Sequence, residues 1–176
     1  MPINQTSHPI ESFETKHMVA KRIAMSDLTD LKVLHQNAQA MDKLGGIITD
    51  EENHEYLTRN IQHWNDYGFG LWVFRSINGE FIGRAGVRHV QVIDADEIEV
   101  AYALMPQYWG QGLATEMAKA SIKIAFEIHK LKNLICLAQT HHQASRHVME
   151  KVGFKYEKEL VLFDCPHVLY RKKSSS

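Results

Sequence analysis

Residues 98–115, "IEVAYALMPQYWGQGLAT", constrain this chain more than any other stretch: a β-branched strand, a proline stop, two glycines spaced two apart and a helix start follow one another directly. A helix that begins there brings unpaired first-turn N–H groups and the positive end of its dipole to the end of the strand. Such a junction is either a tight turn or a seat for an anion. The amides of Gly110, Gln111, Gly112, Leu113 and Ala114 can converge on one anion, and their small neighbours let a pyrophosphate approach the backbone. Two general phosphate loops do not fit. A P-loop needs a Lys after its last glycine, and a dinucleotide fingerprint needs Gly or Ala where Thr115 stands, with an acid after the next strand, which ends in Gln139 and Thr140.

The elements around this junction alternate in type. "MVAKRIA" (18–24) reads as a first strand, and a helix capped by Ser26 or Asp27 follows, with Leu28, Leu31, Val33, Leu34 and Ala38 as its apolar stripe. A second helix starts at Thr49 or Asp50, with Tyr56, Leu57, Ile61 and Trp64 at helical spacing. Residues 68–77 and "EFIGRAGVRHVQV" flank Asn78-Gly79, a hairpin signal, so the middle of the chain is an antiparallel meander. After the strand 98–105 comes an amphipathic helix expected to bury Leu113, Met117, Ala120, Ile124 and Ile128. Then follow the apolar strand 133–139, a short helix stopped by Gly153, and the final strands "FKYEKELVLF" and "HVLYRKK".

One globular domain accounts for 176 residues that are 44% hydrophobic. Its expected span is 18–171, with a polar N-terminal arm over 1–17, a tail or a loosely docked segment, and a tail over 172–176. Twenty basic residues balance 21 acidic ones, which leaves no basic field to gather nucleic acid. No apolar run is long enough to span a bilayer, so neither nucleic acid nor membrane is an expected partner. Cys136 and Cys165 lie outside any CxxC pattern and fit free thiols in a reducing, cytoplasmic setting. No two of the 11 histidines are three or four residues apart, and HExxH is missing, so no metal is expected.

"EIEVAYALMPQYWGQGLATEMAKASIKIAFE" together with "THHQASRHVMEKVGFK" resembles the GCN5-related N-acetyltransferases (GNAT), and within them the subgroup that acetylates ribosomal-protein N-termini. The family's acetyl-CoA loop, Q or R, two residues, Gly, one residue, Gly or Ala, aligns with Trp109, Gly112 and Ala114, and tryptophan in the first slot is usual for this subgroup. The resemblance implies a mixed α/β fold: a mostly antiparallel, twisted sheet flanked by helices, whose fourth and fifth strands splay apart around the pantetheine arm of acetyl-CoA. It implies that main-chain groups of Tyr102, Ala103 and Leu104 meet the pantetheine and that residues 109–115 hold the pyrophosphate. Core packing is the other reading of Tyr102 and Leu104, and both can hold together.

Acetyl transfer from a thioester to an amine needs a neutral amine, a polarised carbonyl and a way to discharge the thiolate. An α-amine is roughly one part in six neutral at pH 7, whereas a lysine is neutral in about one part in 2,500. Glu97 and Glu99 share one strand face, and a pair of like charges makes one of them a readier proton acceptor, directly or through a water. Glu99 aligns with the glutamate that often precedes this subgroup's "IGY", here "VAY". The competing reading is a solvated face or salt bridges to Arg84 or Arg88. Downstream the sequence departs from the family: His142 stands where an Asn is usual, and Met149 replaces a frequent tyrosine acid. The resemblance then makes Ser145 the partner of the coenzyme sulfur, against the plain reading of an early-helix serine, while His142 meets the pantetheine or caps the helix.

The acceptor, a protein N-terminal α-amine or a small-molecule amine, is expected between the first two helices, where Asp50, Glu51 and Glu52 either attract a cation or serve only as helix-start acids. A homodimer through the last strands is expected. Two other functions stay open: a catalytically silent CoA-binding sensor or scaffold, and an NAD-dependent oxidoreductase.

Overall fold

The computed structural model describes residues 9–175. An eight-stranded sheet runs in the order β1-β2-β3-β4-β5-β6-β8-β7. Its strands are β1 (Ser12–Glu14), β2 (Met18–Arg22), β3 (Leu71–Ser76), β4 (Phe81–Val92), β5 (Ala95–Leu104), β6 (Asn133–Gln139), β7 (Lys155–Leu162) and β8 (Cys165–Lys173). The helices are α1 (Leu28–His35), α2 (Ala38–Met41), α3 (Asp50–Tyr67), α4 (Leu113–Lys123) and α5 (Gln143–Lys151). All neighbouring strands pair antiparallel except β5 and β6, which run parallel and meet at the single pair Glu99↔Ile135. Beyond that pair the strands part over residues 100–104, giving the splay that the resemblance implies.

Side-chain alternation along β4 and β5 assigns the helices to two layers. On one face Arg84 contacts His35 of α1, and Arg88 contacts Tyr56 of α3 and Glu99. Val87, Val100 and Tyr102 point to the other, where they pack with Ile122 and Ala125 from the α4 end and Met149 of α5. Trp64 of α3 meets Trp72 of β3 edge-on at 5.6 Å, and its Nε1 donates to the Leu71 carbonyl at 2.8 Å. Thr49 caps α3, its hydroxyl accepting from Glu52 N–H while the Glu52 carboxylate returns to Thr49 N–H, a reciprocal capping box.

Four details refine or differ from the expectations. Part of the N-terminal arm docks: Ser12–Glu14 pair with β2, Phe13 packs edge-on to Trp72 at 5.0 Å, and Thr15 and His17 bind Glu116 of α4. Residues 1–8 of that arm and Ser176 of the tail lie outside the described residues, while Lys172 and Lys173 extend β8. Val33 and Ala38 are exposed, because α1 turns Leu31, Leu34 and His35 inward with Leu28 partly buried beside them and ends before Gln36, leaving Ala38 to start α2. The α4 stripe also shifts phase. Along the regular helix the buried stripe runs through Leu113, Met117, Ala118, Ser121, Ile122 and Ala125, leaving Ala120 and Ile124 half-buried, and the wide π-helical turn over Ile124–Ile128 leaves Ile128 facing solvent.

Candidate active site

The loop between β5 and α4 is built as its glycines demand. Gly110 and Gly112 have φ of +75° and +78°, a left-handed backbone that suits glycine, and a Cβ at either would meet nothing within 4 Å. Gly112 is the N-cap of α4 and offers no side chain to the first-turn amides of Leu113, Ala114 and Thr115. Gln111 folds back, its amide donating to the Gln107 carbonyl at 3.1 Å. Trp109 ties the loop to the strand end, its Nε1 donating to the Leu104 carbonyl at 3.0 Å while the indole stays 46% exposed. The result is an open ring of N–H donors at a helix N-terminus, suited to an anion.

Beside this loop lies the opening between β5 and β6. Cys136 Sγ of β6 donates to the Val100 carbonyl at 3.2 Å, and the Leu104 carbonyl accepts from Trp109, so residues of this parity aim their main chain away from β4. Tyr102, midway between them, therefore turns its N–H and C=O to the opening. Ala103, of the opposite parity, turns its main chain toward β4, where it is paired with Arg84.

The Tyr102 side chain crosses to α5, its hydroxyl 2.9 Å from Ser145 Oγ and 3.2 Å from the Ser145 carbonyl, to which it donates. Burial pushes the Tyr102 phenol well above its usual range, and does the same to the Cys136 thiol, so both groups stay protonated. Ser145 is buried on the first turn of α5. His142 stands at the N-cap position of that helix without a side-chain cap bond. Its Nδ1 and the nearby Thr140 Oγ1 are buried without a hydrogen-bond partner, and burial pushes the His142 imidazole down. Orphaned polar atoms at the end of β6, the unpaired main chain of Tyr102 and the glycine loop together fit a long ligand that ends in phosphates.

On the opposite face Glu97 and Glu99 each meet a guanidinium rather than one another. Glu97 is gripped by both Nη atoms of Arg171 at 2.8 and 3.0 Å, and the same arginine holds Glu157. Glu99, 9% exposed, accepts from Arg88 Nε at 3.2 Å. Burial works against the Arg88 charge, but Glu99 and the Tyr56 hydroxyl outweigh it and hold the guanidinium protonated. Of the two competing readings, the salt bridge to Arg88 is thus realised; a proton-accepting role for Glu99 needs that bridge to share its carboxylate.

His35, Tyr56 and Arg84 complete this face. His35 Nδ1 is 2.8 Å from Asn53 Oδ1, and His35 Nε2 accepts from Arg84 Nε at 3.0 Å, an arrangement that requires a neutral ring protonated at Nδ1. Burial, then the Arg84 charge, push His35 down to about 4. The Arg84 guanidinium lies 5.0 Å from the Tyr56 ring centroid. Sequence reasoning did not assemble this cluster, because His35 and Arg84 are 49 residues apart. The single available signal was the Arg84-x-x-x-Arg88 spacing, which places two cations on the Glu99 face.

Two of the three helix-start acids are already engaged: Asp50 binds Lys32 and Gln36, and Glu52 closes the capping box. A cavity of about 450 Å³ at the far end of α4, lined by Lys119, Lys123, Phe126 and Lys130, contains none of the residues above. Among the described residues no cluster of three or more His, Cys, Asp or Glu could hold a metal, and no helix is long and apolar enough to cross a membrane.

Residues 19–155 match the family model of the acetyltransferase (GNAT) domain. The chain belongs to the GNAT acetyltransferases. It is an acetyl-CoA-dependent N-acetyltransferase of that family. Among curated GNAT-like relatives it is 27% identical over 143 residues to the uncharacterized protein YkkB of Bacillus subtilis, covering 81% of this chain and 83% of that one. Two solved structures share the fold. The ribosomal L7/L12 α-N-protein acetyltransferase RimL in complex with coenzyme A superposes with a TM-score of 0.77 at 16% identity, covering 93% of this chain and 98% of RimL. The spermidine N-acetyltransferase of Vibrio cholerae, in complex with CoA and spermine, gives 0.76 at 18% identity, covering 92% and 98%. This GNAT chain thus carries the family's splayed sheet with its own set of side chains around the opening.

Proposed function

We propose that this enzyme transfers the acetyl group of acetyl-CoA to a primary amine by direct attack, with both substrates bound together. The observation that carries the reading is the pairing of an open N–H ring at Gly110–Thr115 with the unpaired main chain of Tyr102 at the parted strands β5 and β6. Acetyl-CoA supplies an acetyl group already activated as a thioester. Gly110, Gln111, Gly112, Leu113, Ala114 and Thr115 bind its pyrophosphate, with Trp109 bracing the loop against Leu104. Tyr102 and Leu104 offer main-chain groups to the pantetheine from the gap side, and Ala103 contributes through the strand it holds in register. Thr140 Oγ1 and His142 Nδ1 are supported as further coenzyme contacts by their lack of protein partners.

Glu99 takes the proton that the attacking amine sheds, directly or through a water, while Arg88 keeps the carboxylate oriented. Ser145 presents its hydroxyl to the departing sulfur, and Tyr102 holds that hydroxyl in place at 2.9 Å. Glu97, bound at both oxygens by Arg171, serves as an anchor that joins β5 to β8 and leaves the proton transfer to Glu99.

The acceptor is a primary amine, and the named relatives illustrate two kinds, a protein N-terminus for RimL and spermidine for the Vibrio enzyme. Free thiols at Cys136 and Cys165 support a cytoplasmic setting. Exposed Val161 and Phe163 beside the edge strand β7 support a dimer through the last strands. The test is release of the CoA thiol from acetyl-CoA across a panel of peptides, amino acids and polyamines. Amine-dependent release supports transfer; saturable acetyl-CoA binding without release for any amine would leave a CoA-binding sensor.

A further inference from the structure

From the Glu99 face we infer that the acceptor amine carries its own carboxylate, and that Arg84 is the residue that binds it. This rests on the acetyl-transfer reading for the amine end of the molecule and on the geometry around Arg84 for the other end. Arg84 is 6% exposed, yet it lacks an acidic partner within ion-pair distance among the described residues. Its Nε is spent on His35 and its π face on Tyr56. Among the described residues no acceptor meets its two Nη groups. That leaves the end-on fork of the guanidinium open, the edge whose paired donors match a carboxylate.

Charge points the same way. Arg84 and Arg88 lie on one face four residues apart, and among the described residues Glu99 is the one carboxylate that answers them, since His35 is neutral where it accepts from Arg84. One guanidinium is therefore left desolvated and uncompensated, a costly arrangement unless a bound anion completes it. The neighbours of Arg84 are fixed rather than adaptable: Asn53 orients His35, His35 orients Nε, and Tyr56 is held by Arg88 at its hydroxyl and by His35 edge-on at 4.6 Å. Between the two charged positions the sheet itself carries only the small residues Gly86 and Ala101, paired across the ladder, and the Tyr56 ring spans them with its face at Arg84 and its hydroxyl at Arg88, so Glu99 and Arg84 flank one aromatic wall. Glu99 then meets the amine end and Arg84 the carboxylate end. A polyamine would set a second cation against Arg84, which disfavours it.

The test compares each of the common amino acids with its own amide, and with putrescine and spermidine, by titration calorimetry into the protein saturated with CoA and by initial rates with acetyl-CoA. For the preferred amino acid, the acid is expected to bind and react at least ~10-fold better than the amide, the scale of a charge-assisted bidentate pair. Arg84→Gln should erase that ratio, and Arg84→Lys, which keeps the charge but not the fork, should restore part of it. The KM for acetyl-CoA should stay within about twofold, since a uniform loss would mean a merely structural arginine. The inference is overturned if no acid outbinds its amide, if the preference survives Arg84→Gln, or if polyamines bind more tightly than every amino acid. The wild-type comparison decides the matter even if the variants fail to fold. Absence of turnover with retained carboxylate-selective binding would count against the transfer reading and leave Arg84 as the anchor.

Discussion

Tyr102 of β5 and Ser145 of α5 join hydroxyl to hydroxyl at 2.9 Å across the opening between β5 and β6. The contact links the strand at the edge of the opening to helix α5. It also supplies a phenol near the place where Met149 removes the family's frequent tyrosine from α5. Ser145→Ala should lower kcat by about 10²-fold, as loss of a positioned proton donor does, while acetyl-CoA still binds. Tyr102→Phe should give a smaller fall in kcat. Equal falls in acetyl-CoA affinity and kcat would assign both residues to packing alone.

Glu99→Gln keeps the shape of the carboxylate and removes its ability to take a proton. Expected is a loss of about 10²-fold or more in kcat, with the acetyl-CoA affinity maintained, read by steady-state kinetics alongside calorimetry. The change also strips Arg88 of its counter-charge, so a lower Tm accompanies it. Glu97→Gln should instead act mainly on stability, by releasing Arg171 from β5.

Gly112→Ala tests the loop. Its φ of +78° costs an alanine roughly 1–2 kcal/mol, although no atom stands within 4 Å of the added Cβ. A Tm lowered in the absence of ligand, together with a smaller upward shift on adding CoA, is the expected pair of results. An unchanged CoA-induced shift would place the pyrophosphate elsewhere.

His35 makes stability depend on pH. Its folded value, pushed down to about 4 by burial and by Arg84, lies below the value near 6.5 of an unfolded chain. The unfolded state therefore binds more protons between these limits. The stabilisation is full above pH 6.5 and is lost as pH falls toward 4, by an amount on the order of 3 kcal/mol. Burial also lowers His63, His129 and His142. The fall in Tm from pH 7 to pH 5 should thus shrink in His35→Gln rather than vanish. An unaltered slope would show that His35 does not stay neutral in the fold.

Local chemistry was legible in the sequence wherever one short segment decides the structure. Asn78-Gly79 marks the hairpin, Thr49 with Glu52 marks a helix start, and two glycines before Leu113 mark the left-handed turn into α4, because each rests on φ preference or capping within a few residues. The splayed strands came from resemblance, and the register confirms them in the lone Glu99↔Ile135 pair. Strand β1 was hidden, since three residues carry too little alternation and Phe13 finds its partners 59 and 61 residues away, at Trp72 and Phe74. The exact α4 stripe was hidden too, since small Ala118 and polar Ser121 carry part of its buried face and the π turn that leaves Ile128 in solvent has no compositional mark. The cluster of His35, Tyr56, Arg84 and Arg88 draws on α1, α3 and β4, and only tertiary packing brings those side chains to Glu99.

The central claim, acetyl transfer from acetyl-CoA to an amine at the β5/β6 opening, is tested most directly by following CoA thiol release and the acetylated product together, with acetyl-CoA and the amine panel. The account predicts amine-dependent release matched one to one by N-acetylated product, and a Tm raised by CoA and acetyl-CoA but not by NAD; at ~100 times Kd such a ligand adds roughly 2.7 kcal/mol. A protein stabilised by acetyl-CoA that acetylates no amine, or one stabilised by NAD and not by CoA, would contradict it.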